Sequence, residues 1–220
     1  MCGRYELNTT AIELSSRFGD LVPGQDWTAS VPSTSYNIAP SRDCLVIRYD
    51  KRSGNNVVER LIWGFRPPWA KRSWINARDD TLLQTTAFRE AARKRRCLVI
   101  ATGWYEWQDS GAKRKQPYYI RFDRVFAFAG IWTARKLDET QWEVSFAIVT
   151  TAARGMVEAI HDRMPLVLDP RHYGAWLSPR VENPQALLQP FEGAGMEAYP
   201  VSRIVNDPKN DTAQCIERAG

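Results

Sequence analysis

Between residues 97 and 151 the sequence sets four runs rich in β-branched and aromatic residues one after another. They fall at about 97–107, 117–122, 125–134 and 142–151, with turn-forming Gly and Lys between them. Strands that succeed one another without intervening helices pair through short turns, so they build antiparallel sheet and not a doubly wound α/β fold. Two more strand-like runs, at about 44–49 and 57–63, flank Arg52-Ser53-Gly54-Asn55-Asn56, a hairpin turn signal. Helical signals are short. Thr10-Ala11-Ile12-Glu13 has capping-box spacing and opens a helix carrying Ile12, Leu14 and Phe18 that stops at Gly19. Asp79 or Asp80 caps a helix running to about Arg95, whose basic end suits the helix dipole. Residues 20–43 read as a long irregular segment and 64–78 as loop. A helical turn or two from Gly155 to Ile160, short helices near 170–177 and 184–189, and strands at 165–168 and 196–201 complete the reading. The expected fold is α+β: a mostly antiparallel, curved, barrel-like sheet surrounded by short helices, in one domain over residues 1–220.

A chain of 220 residues buries a sufficient core without a disulfide or metal staple. The four cysteines, at 2, 44, 97 and 215, form no CxxC pair, which argues against a zinc site; no metal and no cofactor is called. Cys44 and Cys97 lie in apolar strand runs, where a buried inert thiol is the default. No apolar run approaches the ~20 residues of a membrane span. Met1 to Glu6 lacks the apolar stretch of a secretory signal, so a soluble, cytoplasmic monomer is expected. Charge is uneven. Residues 1–100 hold sixteen Lys and Arg against ten Asp and Glu, whereas the remainder holds fourteen against fifteen. The densest cluster is Arg89, Arg93, Lys94, Arg95 and Arg96, opposed by Glu90. A basic half points to a polyanionic partner, nucleic acid first, although a solvated helix face accounts for it equally well. Nine Trp supply stacking surface for bases or volume for a core.

Four positions stand out for chemistry. Methionine is generally removed before a small side chain, which leaves Cys2 as the mature terminus, with an α-amine (pKa ~7.7–8.0) and a thiol (~8.5) on adjacent carbons. The amine can form a Schiff base with an aldehyde and the thiol can close a thiazolidine; alternatively, the thiol is a nucleophile with its own amine as base. His161, in Ile160-His161-Asp162-Arg163-Met164-Pro165, sits where a helix ends and a strand begins, either as a site residue or as a structural histidine. His172, in a helix start, reads as a surface residue. Strand alternation in Trp104-Tyr105-Glu106-Trp107 puts Glu106 on the face of Trp104. Indole surface would raise its pKa into the range of acid/base work, unless it is an exposed edge-strand carboxylate. Asn76 and Arg78, in Ile75-Asn76-Ala77-Arg78-Asp79, form a phosphate or sugar anchor before a helix, or else a loop hydrogen bonder and a surface charge.

Together these pieces resemble a family. Met1-Cys2-Gly3-Arg4, Tyr36-Asn37-Ile38-Ala39-Pro40, Trp63-Gly64, Ile75-Asn76-Ala77-Arg78, Arg96-Cys97-Leu98, Gly103-Trp104-Tyr105-Glu106-Trp107, Lys115-Gln116-Pro117, Ala129-Gly130-Ile131-Trp132 and the His161 segment occur in the order found in the SRAP family. These are SOS-response-associated peptidase-like proteins that shield abasic sites in single-stranded DNA, and the resemblance covers residues 1 to about 205. It implies that Cys2 attacks the ring-opened aldehyde of an abasic deoxyribose and closes a thiazolidine, crosslinking protein to DNA. It assigns Glu106 to acid/base work, His161 to the open sugar or a proton relay, and Asn76 to holding the abasic site and Cys2 in register. It gives Arg4, Arg78 and Arg163 to flanking phosphates, and Pro40, Trp69 and Trp107 to bases, with Asn37 in the same DNA-binding set. Two departures are local. Ala70 stands where many members carry a bulky residue, and Thr102 varies the strand end before Gly103.

Three other readings compete. A class II glutamine amidotransferase also begins Met-Cys-Gly, but Arg4 replaces the usual Ile and its glutamine-holding Arg and Asn-Gly-Asp motifs are absent. A terminal-Cys peptidase acting in trans is the second, with self-removal of an N-terminal extension the proteolysis that Cys2 itself supports. A non-catalytic single-strand-binding module is the third; it needs the basic face and Trp residues but not Cys2, Glu106 and His161 together.

Overall fold

The computed structural model describes residues 2–30, 34–111, 113–191 and 195–220; Met1, whose removal the sequence predicts, lies outside them. In chain order the elements are β1 (Tyr5–Leu7), α1 (Ala11–Phe18), α2 (Trp27–Ser30), β2 (Ser35–Ile38), β3 (Asp43–Asp50), β4 (Asn55–Trp63) and β5 (Asn76–Arg78). There follow α3 (Arg89–Lys94), β6 (Arg96–Gln108), β7 (Gln116–Lys136), β8 (Trp142–Ala152), β9 (Arg163–Pro165), α4 (Tyr173–Leu177) and β10 (Glu197–Pro200). Single 3-10 turns lie between several of them. The capping box at Thr10 is formed: its hydroxyl accepts from the Glu13 N–H, and the Glu13 carboxylate accepts from the Thr10 N–H at 2.8 Å.

The sheet closes through β7. This strand pairs with β6 along one edge and β8 along the other, and β8, β4, β3 and β6 continue the order back to it. Five strands therefore form a ring. β1 and β2 extend it beyond β6, β10 lies beside β7, and β5 and β9 pair with β8. Among the described residues the pairing is antiparallel except where β4 and β5 run parallel to β8. The α+β expectation of a mostly antiparallel, curved sheet with short helices is met, as a ring-like sheet and not a clean barrel.

Three local readings change. The runs at 117–122 and 125–134 are one 21-residue strand, β7. Its pairing to β6 steps from Ala101↔Phe126 to Gly103↔Arg121, so the strand bends where no partner constrains it, at exposed Asp123 and Arg124. The helix placed from Asp79 to Arg95 shrinks to α3, and residues 79–88 are overlapping turns, with Thr85 N–H bonded to Thr81 C=O at 2.9 Å. Branched Thr81, Thr85 and Thr86 disfavour helix there, and Asp79 binds the Arg163 guanidinium and the Asp80 N–H instead of capping. Asn76 and Arg78 consequently belong to a strand and not to the approach to a helix N-terminus. Within 20–43 and 64–78, loop gives way to α2, β2 and β5.

The ring interior is aromatic. Tyr5 meets Trp63 at 5.3 Å and Phe128 at 6.0 Å, and Trp104 meets Phe128 at 6.0 Å, all edge to face, the arrangement favoured by ring quadrupoles. Outside it, the basic cluster is divided. Arg96 is buried: its Nε donates to Trp176 C=O at 2.5 Å, its Nη1 to Ala92 and Arg93, and its Nη2 to Ser178 and Val181. Arg95 pairs with Glu90 at 3.0 Å. Among the described residues no helix is long and apolar enough to cross a membrane.

Gly130 marks the tightest approach of β7 to β6. A Cβ there would lie 2.7 Å from Cys97 Sγ and 2.9 Å from Val99 Cγ2, both fixed in the core. Gly130→Ala is expected to cost about 1–3 kcal/mol, as overpacked cores do. Gly19→Ala, in helical backbone with ordinary contacts only, should cost far less. Urea unfolding of the two variants checks the difference.

Candidate functional site

The site is built on the segment that leads into β1. Tyr105 N–H donates to Arg4 C=O at 3.0 Å, and Tyr5 pairs with Trp104, so residues 2–4 run beside the end of β6. From β5, Asn76 Nδ2 donates to the Cys2 carbonyl at 2.8 Å. Cys2 is fully buried. Burial pushes its thiol well above the usual range, and the nearby Glu106 carboxylate pushes it further. The thiol is therefore held protonated at neutral pH, with Sγ 3.9 Å from Arg4 C=O.

Glu106 follows Trp104 to the inner face of β6 and is 1% exposed, which removes the edge-strand alternative. Burial lifts its carboxyl from 4.5 to about 7, and Asp162 adds to the lift. Near neutrality it exchanges a proton at little cost in either direction. His161 comes from the other side, after the 3-10 turn Gly155–Ala159. Gln108, the last residue of β6, donates to Ala159 C=O at 2.7 Å and so fastens that turn to the strand bearing Glu106. His161 Nδ1 accepts the Arg163 N–H at 3.0 Å. Burial lowers its pKa more than Asp162, 2.7 Å away, raises it, so the ring is neutral at pH 7. It lines an open cleft of about 470 Å³ together with Trp107, Lys115 and Asp162.

The remaining expected residues divide by exposure. Arg4 Nη1 donates to Asn37 Oδ1 and to Val205 C=O, both at 2.7 Å, and its guanidinium lies 6.0 Å from the Trp107 ring. Asn37 is buried, and its Nδ2 donates to Val205, Asp207 and Asn210 carbonyls. Trp107 Nε1 donates to Asn206 Oδ1 at 2.8 Å. These three residues thus tie the site to residues 205–210. Arg163 is buried too, with Nη2 on Asp79 Oδ1 at 2.9 Å and Thr150 C=O at 2.6 Å. Arg78 and Trp69 are exposed, and Pro40 is half-buried after β2. Arg78 holds Asp80 at 2.6 Å.

The structure brings Cys2, Asn76, Glu106 and the His161 segment together from four distant stretches. Sequence reasoning missed Gln108, whose only signal was its place at the end of β6, and Asp79, which was read as a helix cap. Among the described residues no group of three or more His, Cys, Asp or Glu is placed to hold a metal ion.

A model of the SOS response associated peptidase (SRAP) family matches residues 1–208, and the chain belongs to that family. It is 37% identical over 231 residues to the abasic site processing protein YoqW of Bacillus subtilis, covering 99% of each chain. It is 30% identical to the abasic site processing protein YedK of Escherichia coli, again over 99% of each. Among solved structures, a protein from Bacteroides thetaiotaomicron superposes with a TM-score of 0.82 at 27% identity, covering 99% of this chain and all of that one.

The raised Glu106 carboxyl has a consequence for stability. The folded state favours its protonated form, so the contribution is full below about 4.5 and is lost as pH rises through about 7. Relative to wild type, Glu106→Gln is expected to gain stability across that window and to change little below it. Thermal unfolding at a series of pH values reads this directly.

Proposed function

We propose that the protein processes abasic sites in single-stranded DNA by joining them covalently to Cys2. The observation that carries this reading is a cysteine at the start of the chain, packed beside a carboxyl that titrates near 7, with its carbonyl held by Asn76. Relatives of this chain over nearly its whole length are named abasic site processing proteins.

With Met1 removed, the Cys2 amine adds to C1′ of the open-chain sugar, and loss of water leaves a Schiff base. The thiol then adds across the C=N bond: a C–S bond forms, and the thiol proton passes to nitrogen. A thiazolidine results, with no oxidant or metal required. Glu106 supplies and removes the protons, first at the departing hydroxyl and then at the thiol, which needs a base because burial keeps it protonated. His161, on the wall of the cleft, assists proton transfer at the sugar oxygen as the ring opens. Asn76 fixes the main chain of Cys2, so the amine and thiol approach one carbon in a set geometry.

For the strand itself, exposed Arg78 and Trp69 are assigned phosphate and base contacts, with Pro40 and Trp107 flanking the lesion. Arg4, Asn37 and Arg163 are engaged within the protein and act chiefly by holding the site.

The test is incubation with uracil-glycosylase-treated single-stranded DNA, resolved on a denaturing gel. Cys2→Ala is expected to abolish the crosslink, and Cys2→Ser to leave only a heat-labile one; a heat-stable adduct from the serine variant counts against the thiazolidine. Glu106→Gln should slow single-turnover crosslinking by about 10²–10⁴-fold without weakening binding. The intact mass should lack Met1. Trp69→Ala should weaken single-strand binding by about 1–3 kcal/mol, the usual worth of one stacked base, as measured by fluorescence anisotropy.

A further inference from the structure

The basic cluster is not consumed by the fold or by the site. Arg96 is buried on five carbonyls and Arg95 is paired with Glu90, but Arg89, Arg93 and Lys94 are exposed on α3 and have no ion-pair partner among the described residues. Arg89 and Arg93 are four apart and share one helix face. Their helix is joined to the exposed Trp69 through a chain of rings. Trp69 stands 6.0 Å from Trp74, Trp74 5.8 Å from Phe88, and Phe88 5.6 Å from Phe65 in the core. Phe88 directly precedes Arg89. Exposed Lys71 and Arg72, in the Trp69 loop, are also without an ion-pair partner among the described residues. The row Cys97–Gly130–Ile148–Asn76 crosses four neighbouring strands, which puts the root of α3 about 15 Å from the residue holding Cys2.

We propose that α3 and the Trp69 loop form a second binding surface, a track for the phosphates of single-stranded DNA running on from the lesion site, with Arg89, Arg93 and Lys94 as its far end. It rests on the reading of Trp69 as a base-stacking residue given above. A platform ring backed rigidly by the core, followed by three free cations, is the arrangement sequence-independent single-strand binders use: stacking for bases, a basic stripe for the backbone. The track makes affinity grow with strand length, because a longer strand makes more of its phosphate contacts at once.

The experiment uses strands with no abasic site, of about 4 and about 16 nucleotides, spanning the usual range of single-strand site sizes. Anisotropy is read against salt for wild type and for the Arg89→Gln/Arg93→Gln/Lys94→Gln variant. The variant should bind the long strand more weakly, with a log–log salt slope shallower by about 2, from three contacts at about 0.7 each. The short strand, which covers only part of the track, should lose much less than the long one. Arg89→Lys/Arg93→Lys keeps the charge and should keep the slope, and Lys51→Gln/Arg52→Gln, on the β3–β4 turn, should leave length dependence intact. An unchanged slope on the long strand overturns the proposal. So does an equal loss on both lengths, or a loss matched by the Lys51/Arg52 variant. Because no lesion is present, failure of abasic crosslinking in the same preparation would remove the proposed chemistry and leave this result standing.

Discussion

Everything at the site is referred to the pairing of the N-terminal segment with β6. Tyr5 and Glu6 of β1 and the segment before them are held by main-chain pairing to Gly103, Trp104 and Tyr105, and by one side-chain amide from β5. Main-chain pairing fixes position to a fraction of an ångström and one side-chain bond fixes direction, which is the precision that positioned chemistry requires. The ring of strands serves that pairing. Because β6 pairs with β7 along one edge and with β3 and β1 along the other, it cannot slide without breaking both.

The site combines a buried acid, a buried thiol and a neutral imidazole, and burial is the common cause. Burial brings the Glu106 carboxyl up to about 7, where it exchanges a proton readily, and lowers the His161 pKa, so the imidazole stays neutral. Polar support comes from outside the chemistry. Asn37 uses its full set of donors on residues 205–210, and Asp211 accepts the N–H groups of Tyr36 and Asn37 and the Ser35 hydroxyl. The segment that follows the last strand is therefore part of the wall of the site, although no catalytic motif lies within it.

What the sequence revealed was what depends on local pattern. Successive β-branched runs disclosed the antiparallel sheet, the Thr10–Glu13 spacing disclosed α1, and alternation in 104–107 put Glu106 on the buried side. What it concealed depends on partners far along the chain. Asp79 looks like a helix cap until Arg163, eighty-four residues away, takes its carboxylate. Asp123-Arg124 looks like a turn until both sides of it are seen to pair with the same strand. Arg96 looks like one of five surface cations until five carbonyls surround it. Each of these residues had its local preference overridden by a tertiary contact that periodicity does not encode.

The pairing of β1 also sets an order of events during synthesis. β1 has its main partner only after residues 103 and 104 have been made, on the order of 5–20 s into translation at 5–20 residues per second. β2 is available sooner, but a two-stranded ribbon this short is not stable alone. Until β6 emerges, then, the start of the chain remains in water and open to enzymes that act on nascent chains. Once β6 pairs with it, the segment is fixed, and Cys2 is buried from then on.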